Sequence, residues 1–174
     1  MNADHAKFLA EHYARVIESE IPTTTKVLIA VAKGNGDYKP DPKSRSAIEI
    51  ARHLATADVW FVQSVLDGNF TFDQAAADKA EAQLKTANDT AAFYEKTMRD
   101  KVNQLRNTSG DKLAQEVDFF GMMKAPAVTF LAMAHSHSAH HRGQLAAYLR
   151  AMGSAVPAIY GASADEPFQA AAAS

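Results

Sequence analysis

The chain alternates long stretches of helical periodicity with short breaks rich in turn formers. From Ala6 to about Lys33, apolar and ring-bearing residues recur at helical spacing through Phe8, His12, Val16, Ile17, Ile21, Val27, Leu28 and Val31. Pro22 falls inside this stretch and predicts a kink or a restart. A loop follows over Gly34–Pro42, and Ser46-Ala-Ile-Glu49 then has the form of a capping box opening a second helix. That helix carries its apolar face on Ile50, Leu54, Ala57, Trp60, Phe61 and Val65, runs to Leu66 and stops at Asp67-Gly68. A short helical piece fits Asp73–Leu84. A third long helix fits Asn88–Leu105, with Ala92, Phe93, Met98 and Val102 facing inward. Residues 112–125 read as irregular, with Val117–Phe120 extended. The last helix starts near Pro126, a residue suited to a first turn, and ends at Met152, with Gly153 as its cap and Pro157 beyond.

Four long amphipathic helices predict an all-α four-helix bundle. At 174 residues the chain is long enough for one domain, with a core of about 6–153 and a loosely packed tail over 154–174. Composition adds mainly exclusions. Hydrophobic residues make up 47% and charged residues 22%, ordinary values for a globular protein. The net charge of −2 comes with no basic stripe, which argues against nucleic acid as a partner. No apolar run is long enough to span a membrane. The opening Met-Asn-Ala-Asp-His-Ala-Lys lacks the order of a signal peptide, so a cytoplasmic protein is expected. There is no cysteine, so any metal site must use histidine, carboxylate, amide or water.

Histidine is where the chemistry concentrates. Four of the seven histidines lie in His135-Ser-His-Ser-Ala-His-His141, inside the last apolar helical stretch. At roughly 100° per residue, Phe130, Met133, His141, Gln144, Tyr148 and Ala151 all fall within about 40° of His137. This phase turns His137 and His141 inward from the middle of the buried face, with Gln144 one turn further on. His140 lies about 60° off, as a group behind the site or simply solvated, and His135 points outward beside Arg142. Two inward imidazoles need partners, and a divalent metal satisfies both at once. The ferritin type of site is excluded, since no pair of Glu-x-x-His motifs is present.

A third ligand has to come from another helix, and His53 is the candidate at the margin of the second helix's apolar face. The residues leave two readings of His53 open: a metal ligand, or a core-edge histidine bonded to a backbone carbonyl or to Glu49. Bland roles fit most of the remaining residues. Arg142 reads as a salt-bridge former and Tyr148 as core packing. Trp60 and Phe61 read as core, with Trp60 able to line a pocket mouth. His12 reads as surface or structural, and the charged residues of 95–104 as a solvated face.

Two segments carry a resemblance. Ser46-Ala-Ile-Glu-Ile-Ala-Arg-His53-Leu-Ala-Thr-Ala-Asp-Val-Trp60 and His137-Ser-Ala-His-His141-Arg-Gly-Gln144 through Gly153 resemble the DinB-like (YfiT-like) family. The resemblance implies an up-down-down-up bundle, often a homodimer. It also implies a divalent metal, zinc or nickel, on three histidines that correspond by position to His53, His137 and His141. It further implies transfer chemistry in which a low-molecular-weight thiol attacks an electrophilic small molecule. Two other function classes stand beside it. One is metal-dependent hydrolysis with Glu49 as general base, and the other a non-catalytic metal-binding or stress-response bundle. Gln144 is a second candidate for orienting a reacting group. No pocket for a particular thiol is recognisable in the sequence.

Overall fold

A computed structural model describes residues 1–168. Six helices and one small hairpin follow in order: α1 (Ala3–Val31), α2 (Ala47–Asp67), α3 (Gln74–Gln83), α4 (Ala87–Asn107), α5 (Gly110–Ala114), β1 (Glu116–Phe119), β2 (Met123–Pro126) and α6 (Phe130–Ala151). The four long helices form the bundle. α1 packs against α4 and α6, and α2 packs against the same two, so α1 and α2 lie diagonally across the core. Among the described residues, no helix is long and apolar enough to cross a membrane.

The helix ends follow their local chemistry. The Ser46 side chain accepts from the Glu49 backbone N–H, and the Glu49 carboxylate accepts from the Ser46 N–H at 2.6 Å, closing the expected box. Gly68 ends α2 with φ 70°, a conformation that favours glycine. Thr86 and Asp89 form a second box at the start of α4, and Asp73 caps α3. α1 continues through Pro22 instead of restarting there.

The phase of α1 differs from expectation. Phe8 is 69% exposed and His12 is exposed, while Ala6, Ala10, Ala14, Ile17, Ile21, Leu28 and Val31 are buried. The large side chains suggest one stripe, but the core takes the alanines because they let α1 approach its neighbours closely. The same holds in α4, where Ala92 is exposed and Ala91, Tyr94, Met98, Val102 and Leu105 are inside. At the N-terminal end the approach is tightest: a Cβ on Gly110 would meet the Ala3 carbonyl oxygen at 2.2 Å. Only glycine fits there.

Residues 112–125 are more ordered than expected. α5 is followed by an antiparallel hairpin whose register pairs Val117 with Ala125 and Phe119 with Met123. Phe119 and Phe70 pack on Phe130 at the start of α6, joining the hairpin to the core. The segment after Gly153, expected to be loose, is tied down as far as Glu166. Ser154 is buried and donates to the Ala30 carbonyl at 2.6 Å. Arg150 grips both oxygens of Asp165, and Glu166 accepts from Lys26 and the Ala158 N–H. The remainder of the Ala-rich tail, 169–174, lies outside the described residues.

Candidate metal centre

The buried stripe of α6 is centred on Ala134, Ser138, Arg142, Leu145 and Leu149. It lies roughly 100° round the helix from His137 at about 100° per residue. His137 and His141 are therefore half-buried on the flank of the core face and not in its middle. The misreading has a physical source: two polar residues, Ser138 and Arg142, occupy core positions, so hydrophobicity alone misplaces the stripe. His135, expected to face outward, is half-buried on the opposite flank, where it lines a cavity of about 20 Å³ with Glu20, Asp58 and Tyr94. His140 is exposed.

The flank position lets α2 complete the site. His53 comes from α2 and meets both α6 histidines edge-on, with ring centroids 5.3 Å from His137 and 4.9 Å from His141. One nitrogen from each of the three rings lies within 4.8 Å of the others, a group able to hold a metal ion. The outer nitrogens decide which ones face inward. His137 Nδ1 lies 3.3 Å from Asp58 Oδ1, and His141 Nδ1 lies 3.0 Å from Gln144 Oε1. His53 Nδ1 faces Glu81 Oε1 at 3.8 Å, and that carboxylate also accepts from the Thr56 hydroxyl. The acceptors beside His137 and His141 favour the Nδ1–H tautomer of those two rings, which turns their Nε2 lone pairs inward, whereas Glu81 stands too far from His53 Nδ1 for a hydrogen bond.

The Nε2 atoms of His53 and His137 stand 3.4 Å apart. With the protons of both rings on Nδ1, neither Nε2 can donate and the two lone pairs repel. A cation between them turns that repulsion into attraction. Tetrahedral ligands at bond lengths of about 2.0–2.1 Å sit about 3.3–3.4 Å apart, so the spacing suits such an ion. Burial lowers His53 to about 4, helped by the Arg45 charge and the other two rings. Burial also lowers His141 to about 4, against an opposing bond from Gln144. Both rings are neutral at physiological pH, the form that binds metal.

Asp58 and Glu81 are the residues that sequence reasoning missed. Asp58 is 3% exposed within the apolar face of α2, bonded to His137 and Ser138, and burial raises its carboxyl above the ordinary value. An acid one turn after Leu54 and one turn before Phe61 was a readable signal, since a buried carboxylate needs a partner. Glu81 had no such signal, because its place depends on how α3 folds back over α2. Asp58 holds the outer nitrogen of His137, an arrangement that fixes ring orientation and raises ligand basicity, and Glu81 faces that of His53 at 3.8 Å. Glu49, a candidate base, is directed elsewhere. Its carboxylate caps α2, lies 3.3 Å from Lys39 Nζ, and is lowered first by the Ser46 hydrogen bonds. His53 accordingly pairs with Glu81 and not with Glu49.

The histidines open onto a cleft of about 680 Å³ between α2, α3 and α4, lined by His53, His137, Trp60, Phe72, Phe93 and Glu81 among others. Trp60 stands half-buried in its wall, with its indole N–H donating to the Thr71 carbonyl at 2.9 Å. Phe61 is core, as is Tyr148, whose ring meets Tyr38 edge-on.

Arg142, next to His141 in sequence, belongs to a different cluster. Its guanidinium is fully buried and pairs with Glu20, Tyr160 and Thr24, the last at 3.2 Å. A salt bridge away from the histidines was expected. Tyr160, from beyond the last helix, was not.

Known proteins share this architecture. A DinB-like protein from Bacillus cereus ATCC 10987 superposes with a TM-score of 0.69 over 85% of this chain and 95% of its own, at 23% identity. The crystal structure of the DinB-like protein YjoA from Bacillus subtilis superposes with a TM-score of 0.63 at 26% identity, covering 82% of this chain and 92% of that one. In sequence, the uncharacterized protein YjoA of Bacillus subtilis (strain 168) is 30% identical over 133 residues, which cover 75% of this chain and 82% of YjoA. The DinB family profile matches residues 1–170, so this chain belongs to the DinB family.

Proposed function

We propose that the protein is a metal-dependent transferase that activates a small thiol for attack on an electrophile, with zinc or nickel bound by His53, His137 and His141. The observation that carries this reading is the convergence of three imidazoles, one nitrogen from each within 4.8 Å of the others, with His53 and His137 at the edge of an open cleft. The donor set suits a divalent ion, since three neutral imidazoles leave it a full charge and an open position. When bound, such an ion supplies the Lewis acidity that favours thiolate over thiol at neutral pH.

The chain's own groups do the rest. Asp58 and Gln144 hold the rings of His137 and His141, and Glu81 lies beside His53. Trp60, Phe72 and Phe93 give the cleft an apolar wall beside the histidines, against which the electrophile would lie. The opening beside His53 and His137 supports an enzyme over a purely structural ion, because a structural site is closed by a fourth ligand. Among the described residues, the group contains three histidines and no fourth ligand. The hydrolytic alternative loses its expected base, since Glu49 is held at the start of α2.

Elemental mass spectrometry after incubation with zinc or nickel tests the site. About one ion per chain is expected, falling to none in a His53→Ala, His137→Ala double variant with an unchanged helical circular dichroism spectrum. Thiol consumption with a panel of electrophiles tests the reaction. Metal-loaded protein that accelerates no transfer removes the transferase reading and leaves a metal-binding bundle.

A further inference from the structure

One residue of the hairpin stands in a backbone conformation that its side chain disfavours. Phe120 and Gly121 are central to the turn from β1 to β2, which the Met122 N–H closes on the Phe119 carbonyl at 3.0 Å. Both have positive φ, 55° and 73°. Turns of this kind favour Asn-Gly, because a bulky side chain at positive φ is strained. Gly121 meets the requirement and Phe120 does not.

Core packing gives no reason for the strain. Phe119, the residue before, packs on Phe61, Phe70 and Phe130 and supplies the hairpin's hold on the bundle. Phe120 is 48% exposed. Besides Phe119, its ring neighbour among the described residues is Trp60, inclined to it by 15° with centroids 6.3 Å apart. Strain of this sort gathers at ligand-binding positions.

Trp60 is where that position meets the cleft. Its ring also meets the exposed Phe72 edge-on, with centroids 5.8 Å apart. Trp60, Phe72 and Phe93 line the cleft together with Ala57, Ala77 and Ala80, and Phe120 continues this apolar surface just beyond the lining. The charged groups of the cleft favour neither sign. Glu81 lies in the field of Arg45, Asp73 accepts from the Ala76 N–H as the cap of α3, and Asp78 accepts from Gln74. Arg45, Asp73 and Asp78 are exposed, where water and salt screen them, and Glu81 is half-buried. None is a buried charge that needs a counter-charge from a ligand. A volume of about 680 Å³ is that of a small-molecule site.

We infer that the cleft binds an uncharged small molecule with a flat apolar group against Trp60, Phe72 and Phe93, and that Phe120 is a specificity residue at its rim. This deepens the transferase reading by naming the class of its electrophile, and it rests on that reading only for the reaction, not for the binding.

Trp60 is the only tryptophan of the chain, so its emission reports cleft occupancy directly. The full-length protein, with zinc added and again after chelation, is titrated with 4-phenyl-1-butanol, with 4-phenylbutyrate and with 4-phenylbutylamine. These probes share one ring and differ in charge. The alcohol is expected to change Trp60 emission saturably, and in the chelated protein neither charged probe should bind more tightly. Phe120→Asn should weaken the alcohol roughly threefold to tenfold, the worth of an aromatic contact. Its urea midpoint should stay level or rise, because asparagine tolerates this turn. Phe120→Tyr keeps the ring and should keep the affinity. Phe72→Ala should weaken the alcohol to a similar degree.

An emission change that never saturates at millimolar alcohol overturns the assignment, as does tighter binding of either charged probe to the chelated protein. Unchanged affinity in Phe120→Asn with a lowered urea midpoint would make Phe120 a packing residue. A lower sedimentation mass in that variant would assign the ring to a contact between two copies, and both results overturn the inference. The two readings fail separately. Binding without any thiol transfer removes the reaction and leaves the cleft as assigned. Transfer without a saturable change in Trp60 emission removes the cleft assignment alone.

Discussion

The two flanks of α6 carry polar groups in similar number and treat them in opposite ways. On the side toward α1, Arg142 is enclosed and paired with Glu20, Thr24 and Tyr160. Tyr94 joins this cluster through Thr24 and Ser138, and burial pushes its phenol well above the ordinary range. On the side toward α2, the outer nitrogen of His137 is held by Asp58, that of His53 faces Glu81, and their inner nitrogens face each other at 3.4 Å. The first cluster is satisfied by the protein itself, apart from the unpartnered Nε of Arg142, and serves the fold. The second is satisfied only halfway, and the remaining half is where a ligand can act. Polar residues on a bundle helix thus become a site when the protein fixes their orientation and withholds their last partner.

The largest effect should come from the closed flank. Arg142→Met removes one side of a buried pair, leaves Glu20 without its cation, and is expected to cost about 3 kcal/mol of stability. Urea unfolding of the metal-free protein measures it. A loss well under 1 kcal/mol would show that Arg142 contributes little to the fold and would erase the contrast between the flanks.

On the open flank the order reverses, with a large effect on the ion and little on the fold. Asp58→Asn keeps the shape and an acceptor for His137 but removes the charge. Metal affinity should drop roughly tenfold or more, with little change in the unfolding midpoint of the metal-free form. Competition with a chromogenic chelator reads the affinity. Unaltered affinity would mean that Asp58 only packs.

Acid provides the mildest probe. His53 and His141 sit near 4 in the folded chain, against an ordinary value of 6.5. Between those values the unfolded chain binds protons that the folded metal-free chain does not. Stability of the metal-free protein is therefore fully present above pH 6.5 and declines as pH falls toward 4. The His53→Ala, His137→Ala variant should show a shallower decline in urea midpoint over the same window. Equal slopes would mean that the histidine site is not what acid attacks.

The same comparison explains what the sequence reveals. The capping box at Ser46, the stop at Gly68, and the spacing of His137 and His141 are local, and local chemistry is readable from neighbours in the chain. The three histidines come together as the family resemblance implies. The phase of α6 is not local. Ser138 and Arg142 are buried because Tyr94, Thr24, Glu20 and Tyr160 meet them from three other parts of the chain, and hydropathy counts them as surface. Phe8 misleads in the opposite sense, as a large apolar residue outside a core built on alanine. Glu81 reaches His53 through a fold-back that periodicity does not encode.

α3 supplies Glu81 and one wall of the cleft, yet it buries none of its side chains, whereas α2 beside it buries eleven. Its hold on the bundle is marginal by construction. Backbone amides in such a segment exchange with solvent through small local openings, well before the four long helices give way. A molecule in the cleft can then be exchanged for another by fraying a ten-residue helix, with the hydrophobic core left intact. Exchange of a ligand at the histidines is in this way uncoupled from the stability of the bundle that carries them.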